Sequence, residues 1–236
     1  DKRPAIGVLQ WIQYQLDNCS TIEEVIATDA KLRISITATP LHYLIADAKG
    51  NAATIEFLDG KMKVHKGSQL PFPVLTNDTY ERSVMSKNKG TYNGDNSLER
   101  FSTACNMIQQ YKANPNGKSL VDQSFDILNK VSQGDFTKWS IIYDISNKKI
   151  WFKTEQFQQL RSLNFSSFDF SCKKESKISD INGPEKGDMS SLLVNFSNDL
   201  NQRILEKTLV QTSSRIVLTR EQKQALLAYP DTIHCE

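Results

Sequence analysis

The fold depends first on residues 40–80, which read PLHYLIADAKGNAATIEFLDGKMKVHKGSQLPFPVLTNDTY. In this stretch apolar residues alternate with other residues in short runs, the pattern of strands that bury one face. The alternating residues are Leu41, Tyr43 and Ile45, then Ile55 and Phe57, then Met62 and Val64. Residues 47–51 and the pair Asp59 and Gly60 separate the runs and are typical of tight turns. We therefore predict an antiparallel meander, followed by an apolar run from Val74 to Asn77 that ends where a strand meets a loop.

Helical periodicity is found on both sides of this meander. The segment 5–16 is predicted to be a helix. In Ser20-Thr21-Ile22-Glu23-Glu24, a Ser or Thr is followed three residues later by Glu, the capping box of a short second helix. The buried stripe predicted for the first helix is Ala5, Val8, Leu9, Ile12 and Leu16, with Trp11 and Tyr14 beside it. The other predicted elements are a strand over 32–36, a surface loop over 83–96, a helix over 98–111 with Ser97 as N-cap, a helix over 120–131, a hairpin over 139–152, a strand over 159–170, a loop over 171–188 and helices over 190–210 and 221–228.

These elements come in blocks, as helices, strands, helices, strands and a last helical part. Such an order favours an α+β fold with two antiparallel sheets covered by helices. It argues against a doubly wound parallel sheet, in which strands and helices alternate singly. Since neither an internal repeat nor a low-complexity linker interrupts the sequence, we expect one domain over 1–236.

Composition excludes several classes of partner. Hydrophobic residues make up 39% and charged residues 24% of the chain, as expected for a soluble globular protein. The net charge is only +2, and the basic residues are spread along the sequence. Neither a nucleic acid nor an acidic membrane surface is therefore an expected partner. The opening residues Asp1 to Pro4 lack a signal-peptide pattern. We expect the chain to be a fragment or a processing product, with simple trimming as the alternative.

The cysteines and histidines do not form a metal-binding pattern. The four cysteines are Cys19, Cys105, Cys172 and Cys235, and none has the spacing of a zinc ligand. Cys105 lies on the apolar face of a predicted helix, so we expect a buried, inert thiol. A disulfide between Cys172 and Cys235 is left open. No metal and no cofactor are expected.

The three histidines occur in different contexts. His42 lies inside a predicted strand and is expected to be a hydrogen-bonded core residue, whereas His65 and His234 are expected on the surface. The sequence contains no G-x-S-x-G nucleophile elbow. It also lacks a P-loop, a dinucleotide fingerprint and an H-E-x-x-H motif. Composition and periodicity alone therefore predict an α+β domain but do not indicate its function.

Five stretches, in order along the chain, resemble the sequences of a known protein family. They are WIQYQLD at 11–17, PLHYLIAD at 40–47, IEFLDGK at 55–61, VLTND at 74–78 and DNSLERF at 95–101. Together they resemble the choloylglycine hydrolase family, which holds penicillin V acylases and conjugated bile salt hydrolases. The resemblance implies the N-terminal nucleophile hydrolase fold, a four-layer α-β-β-α sandwich with two antiparallel sheets between helical layers. This chain would be its later, larger part, so the sandwich is expected to be incomplete in this chain alone.

The resemblance also implies a mechanism and two site residues. In the family an N-terminal cysteine attacks a substrate amide, its own α-amino group acts as base, and an oxyanion hole stabilises the intermediate. Asn77, in Leu-Thr-Asn, matches the asparagine of that oxyanion hole, and Arg100, in Ser-x-x-Arg-Phe, matches the arginine beside the thiolate. The other readings stay open: Asn77 as a glycosylation sequon or turn residue, and Arg100 as an exposed residue at a helix start. Residues that bind the substrate are not identified.

The expected function follows from this resemblance. It is hydrolysis of a linear amide C–N bond in a small N-acyl amide, of the penicillin V acylase type, with acyl-homoserine lactones and conjugated bile salts as related substrates. The cysteine nucleophile is expected from a companion segment that precedes Asp1. We further expect a bacterial, periplasmic or secreted homo-oligomer, with a cytoplasmic location as the alternative. A non-catalytic relative that binds an acyl ligand or a partner is the second hypothesis.

Overall fold

The computed structural model describes residues 2–35, 41–115, 117–171, 173–212 and 217–232. They form two compact units, Asp1–Gln133 and Gly134–Glu236, each of which is taken by itself. The prediction of a single domain over 1–236 stays a prediction. Among the helices in the described ranges, none has the length and apolar content needed to cross a membrane.

The first unit contains the meander and most of the long helices. Its elements are β1 (Ala5–Gly7), α1 (Val8–Asn18), α2 (Ile22–Ala27), β2 (Arg33–Ser35), β3 (Tyr43–Ala46), β4 (Ala52–Leu58), β5 (Lys61–Lys66), α3 (Tyr80–Lys89), α4 (Asn96–Ala113) and α5 (Leu120–Lys130). Strands β3, β4 and β5 form an antiparallel sheet in which Tyr43 pairs with Ile55 and Ile55 with Val64. Asp59 and Gly60 both have positive φ, 52° and 74°, as a tight hairpin turn requires. The predicted meander is confirmed.

The two faces of this sheet differ in character. On one face lies an apolar core of Trp11, Val25, Leu32, Tyr43 and Ile55, in which the Trp11 ring stacks on Tyr43 at a centroid distance of 4.3 Å. Because side chains alternate along a strand, Thr54 and Glu56 point to the opposite face. Both of these polar residues are fully buried. The second face is therefore polar in its centre.

Helix α1 begins later than its periodicity predicts, and it buries a different face. Residues Ala5–Gly7 pair in parallel with β2, and the Gly7 N–H donates to Gln10 Oε1 at 3.0 Å. The buried side chains of the helix are Trp11 and Gln15, and Gln15 donates to Thr28 Oγ1 at 3.0 Å. The predicted stripe is wrong, because Leu16 is 74% exposed.

Helix α3 replaces the first half of the surface loop predicted over 83–96. Its buried side chains are Tyr80, Ser83 and Ser86, so small hydroxyl residues occupy the positions where apolar residues would have indicated a helix. Gly90, at φ 67°, ends the helix in the left-handed conformation. The segment from Val74 to Asn77 precedes it without strand structure, so that part of the prediction is also wrong.

Helix α4 is the predicted helix over 98–111, with another N-cap. Asp95 Oδ1 accepts from the Ser97 N–H at 2.9 Å and is the N-cap, whereas the Ser97 hydroxyl makes contacts outside the helix. The predicted helix over 120–131 is confirmed as α5, with Ser119 as its N-cap.

The second unit contains a hairpin-based sheet and the last helices. Its elements are β6 (Trp139–Asp144), β7 (Lys149–Thr154), β8 (Arg161–Asn164), β9 (Lys177–Ile178), β10 (Gly187–Asp188), β11 (Val194–Asn195), α6 (Asn198–Thr212) and α7 (Arg220–Ala228). Strands β6, β7 and β8 are antiparallel, β10 joins β8 in parallel, and β9 pairs with β11. The hairpin is confirmed. The strand predicted over 159–170 ends at Asn164 in a 3₁₀ turn, and the helix predicted over 190–210 begins only at Asn198.

Candidate functional site

Asn77 lies on a loop whose two ends are tied together. The Tyr80 hydroxyl donates to the Phe72 carbonyl at 2.9 Å and accepts from the Phe72 N–H at 3.3 Å. Tyr80 is 1% exposed, and its ring packs edge-on against Phe101 of α4. The loop between Phe72 and Tyr80 is therefore closed by a buried aromatic side chain.

The residues on either side of Asn77 are fastened to the start of α4. Thr76 Oγ1 donates to the Ser97 carbonyl at 3.0 Å, and the Asp78 N–H donates to Ser97 Oγ at 2.9 Å. Asn77 itself is exposed. The loop thus presents one amide side chain between two fixed neighbours, and Ser97 holds both neighbours.

The two predicted site residues are brought together. Arg100 Nη2 donates to Asn77 Oδ1 at 2.5 Å, across 23 positions of sequence. A guanidinium has donors and no acceptor, so the atom that faces it must be the amide oxygen. This contact leaves the Nδ2 group of Asn77, the donor end of the amide, available to another acceptor.

Arg100 is held by a second contact and is half-buried. Its Nε donates to Asn96 Oδ1 at 2.8 Å, and Gln133 Nε2 donates to the same oxygen at 3.0 Å. Burial lowers the pKa of Arg100, and Asp95 acts in the opposite direction. An arginine in such a setting stays protonated at neutral pH. The site therefore combines a fixed positive charge with an oriented neutral N–H donor.

The thiols in the described ranges are poor nucleophiles. Cys105 is 1% exposed, and burial raises the pKa of its thiol to about 12, so the predicted buried, inert thiol is confirmed. Burial also raises the pKa of the Cys19 thiol, with a further contribution from Glu24 and an opposing one from Lys31. Because the thiolate is the reactive form, neither side chain is poised for attack at neutral pH. Cys172 and Cys235 lie outside the described residues.

Sequence reasoning missed a polar cluster on the face of the β3-β4-β5 sheet that carries Thr54 and Glu56. Glu56 is 1% exposed, with Oε1 3.5 Å from His42 Nδ1 and Oε2 3.8 Å from His65 Nδ1. His65 also lies 3.2 Å from Thr54 Oγ1, and its ring centroid is 4.8 Å from that of Tyr80. The surface position predicted for His65 is therefore wrong, while His42 is hydrogen-bonded as predicted. A glutamate in the middle of an apolar strand was the signal that could have indicated this cluster.

In the part of the chain that the structure describes, no three His, Cys, Asp or Glu side chains are grouped so that they could hold a metal ion. The predicted surface residue His234 lies outside that part.

Comparison with known proteins adds to this geometry. Residues 1–108, which include Asn77 and Arg100, match the sequence model of linear amide C–N hydrolases, choloylglycine hydrolase family. A penicillin V acylase from Pectobacterium atrosepticum is 29% identical over 93 residues, or 35% of this chain and 24% of that relative. The structure of penicillin V acylase from Agrobacterium tumefaciens has a TM-score of 0.68 at 22% identity and covers 83% of this chain and 69% of its own. A variant of conjugated bile acid hydrolase from Clostridium perfringens has a TM-score of 0.61 at 17% identity, covering 84% and 69%.

These likenesses first define the class: the chain has the α+β fold of the N-terminal nucleophile hydrolases, as predicted. The resemblance to the choloylglycine hydrolase family is confirmed as well, and residues 1–108 carry it. The matched stretch spans 24% of the curated penicillin V acylase.

Proposed function

We propose that the protein hydrolyses the linear amide C–N bond of a small N-acyl amide, with Asn77 in the oxyanion hole. The observation that carries this proposal is the hydrogen bond from Arg100 Nη2 to Asn77 Oδ1. It turns the amide so that its N–H donor is free for a negatively charged oxygen. An oriented neutral donor stabilises such an oxygen without losing its own proton.

The nucleophile in this proposal is an N-terminal cysteine on a companion segment that precedes Asp1. Its thiol proton passes to its own α-amino group, the thiolate attacks the amide carbon, and the carbonyl oxygen becomes negative beside Asn77 Nδ2. The α-ammonium group then gives its proton to the leaving amine as the C–N bond breaks. Water hydrolyses the resulting thioester and releases the acid. The high pKa of Cys105 supports a nucleophile from elsewhere.

Arg100 has two compatible tasks in this scheme. It orients the Asn77 amide, and its positive charge favours the thiolate form of a neighbouring cysteine. The first task is supported by a hydrogen bond within this chain. The second rests on the resemblance to the family.

For the substrate we propose a penicillin V acylase type of amide, with acyl-homoserine lactones and conjugated bile salts as related candidates. The proposal is supported by the 29% identity to a penicillin V acylase. We also propose a periplasmic or secreted homo-oligomer. If no cysteine segment accompanies the chain, the alternative is a relative that binds an acyl ligand without cleaving it.

The first test is chemical identification of the companion segment. Mass spectrometry of the native protein is expected to find a segment that begins with cysteine, and its absence would contradict the enzymatic proposal. With that segment present, Asn77→Ala is expected to lower kcat on a phenoxyacetyl amide by about 100- to 1,000-fold, with a smaller change in KM.

A matched control is available on the neighbouring helix. Asn88 is exposed on α3, so Asn88→Ala removes the same side chain away from the site and is expected to leave kcat unchanged. Equal turnover in Asn77→Ala and Asn88→Ala would rule out the oxyanion role of Asn77.

A further inference from the structure

Glu56 is a buried carboxylate that the proposed chemistry does not use. It lies in β4, on the face of the sheet opposite Ile55, and is 1% exposed. Its Oε1 accepts a hydrogen bond from the Tyr80 N–H at 3.0 Å. Tyr80 is the first residue of α3, so this carboxylate satisfies one of the N–H groups that a helix start leaves open.

The surroundings of Glu56 favour its ionised form. Burial raises the pKa of this carboxyl, but the hydrogen bonds with His42 and the Tyr80 N–H and the nearby charge of His65 outweigh burial and leave the pKa below its ordinary value. The positive end of the α3 dipole acts in the same direction. A charged, buried acceptor at a helix start gives a stronger hydrogen bond than a neutral one.

The helix start that Glu56 holds is also the end of the Asn77 loop. Tyr80 closes that loop through its contacts with Phe72, while Ser97 fastens the residues on either side of Asn77 to α4. The loop therefore has one anchor on α4 and one on the sheet. Glu56 provides the anchor on the sheet.

We propose that Glu56 is a positioning residue for the oxyanion hole: by fixing the first turn of α3 it fixes the loop that presents Asn77. This inference rests on the proposed role of Asn77. Glu56 itself, buried beneath Tyr80, contacts neither substrate nor nucleophile in this scheme. It acts through the Tyr80 backbone.

A matched control lies in the same helical turn. Glu81 is an exposed carboxylate that pairs with Lys63 at 2.7 Å. Glu81→Gln removes a negative charge from the start of α3 without touching the buried anchor. Glu56→Gln keeps an oxygen acceptor for the Tyr80 N–H, whereas Glu56→Leu removes it.

The first experiment needs no activity. Amide hydrogen exchange of the 236-residue chain is expected to be about 10- to 100-fold faster at Tyr80 in Glu56→Leu, as for loss of a charge-assisted hydrogen bond. Exchange at Tyr80 is expected to be accelerated less in Glu56→Gln than in Glu56→Leu, because a neutral acceptor replaces the charged one, and to change little in Glu81→Gln. Unchanged exchange in Glu56→Leu, or equal acceleration in Glu81→Gln, would overturn the anchoring role even if the protein proved to have no amidase activity. If Glu56→Leu fails to fold, the comparison rests on Glu56→Gln, in which exchange at Tyr80 must then be faster than in Glu81→Gln, and equal exchange in the two variants would overturn the anchoring role.

The second experiment asks whether Glu56 acts through Asn77. In the protein carrying its cysteine segment, Glu56→Leu is expected to lower kcat about tenfold while KM changes less, and Glu56→Gln is expected to restore most of the rate. In the Asn77→Ala background the same substitution is expected to cost nothing more, because residues that act as one unit are not additive. Full additivity of the two losses would show a general structural effect and would overturn the proposal.

Discussion

Arg100 uses two of its nitrogen atoms at the same time. Nε donates to Asn96 and Nη2 to Asn77, at 2.8 and 2.5 Å. A lysine has the same charge but only one nitrogen, so it cannot make both contacts in this geometry. If Arg100 orients the Asn77 amide, Arg100→Lys should lower kcat roughly 10- to 100-fold although the charge is kept.

Steady-state kinetics on a phenoxyacetyl amide, with the cysteine segment present, would measure this effect. Arg203, exposed on α6, offers the same substitution away from the site, and Arg203→Lys is expected to behave like the wild type. Wild-type kcat in Arg100→Lys would show that positive charge alone suffices and that the orienting contact is dispensable.

At the scale of single residues, the sequence identified Asn77 and Arg100 by resemblance but not the contact between them. The two lie 23 positions apart, and helical or strand periodicity gives no information about such a pair. Ser97 was predicted as an N-cap and instead holds the Asn77 loop, because Asp95 takes the cap. Glu56 was missed because its partners lie on other elements of the fold.

At the scale of elements, predictions succeeded where the determining chemistry is local. Asp59 and Gly60 supply the positive φ values of a hairpin turn, and the alternation of apolar residues then sets which face is buried. Helix α3 escaped prediction because it buries Tyr80, Ser83 and Ser86, and a helix face made of small hydroxyl residues has the composition of a loop. The face of a helix is decided by what packs on it, which periodicity alone cannot supply.

Helix α1 gives a direct test of that point. Trp11 is 1% exposed and stacks on Tyr43, whereas Leu16 of the same helix is 74% exposed. Trp11→Ala should therefore lower the free energy of unfolding by about 3–5 kcal/mol, while Leu16→Ala should change it by less than about 0.5 kcal/mol. Urea unfolding followed by circular dichroism measures both, and a larger loss in Leu16→Ala would restore the originally predicted face.

At the scale of the whole molecule, acid pH is expected to destabilise both units. Hydrogen bonds and nearby positive charges outweigh burial and keep the pKa of Glu56 in the first unit and of Asp180 in the second below their ordinary values. A carboxyl with a lowered folded pKa adds stability above its unfolded pKa, and this stability is lost as the pH falls through the folded pKa. The free energy of unfolding should therefore fall as the pH decreases below about 4. Urea unfolding at a series of pH values would measure this loss of stability, and a free energy of unfolding that rises below about pH 4 would contradict it.

At alkaline pH, the stability of the protein depends on titratable groups that are buried in their neutral form. Burial raises the pKa of Cys105 from 9.0 to about 12 and that of Tyr43 from 10.0 to about 12. The unfolded chain loses these protons first, so their contribution is complete below the unfolded pKa and is lost as the pH rises through the folded pKa. Between its unfolded and its folded pKa, each group therefore makes the free energy of unfolding fall by up to about 1.4 kcal/mol for each pH unit that the pH rises.

Cys105→Ala removes one of these groups and separates titration from packing. The variant should be less stable than the wild type at pH 7, because it leaves space in the cluster around Phe101. Between about pH 9 and 10, however, its stability should fall less steeply, by up to about 1.4 kcal/mol per pH unit. Ile127→Val trims a residue packed against the same cluster and carries no proton, so it should lower stability by a similar amount at every pH. If Cys105→Ala and Ile127→Val gave parallel curves, the thiol would titrate alike in the folded and unfolded chains, and its burial would not contribute to the loss of stability at alkaline pH.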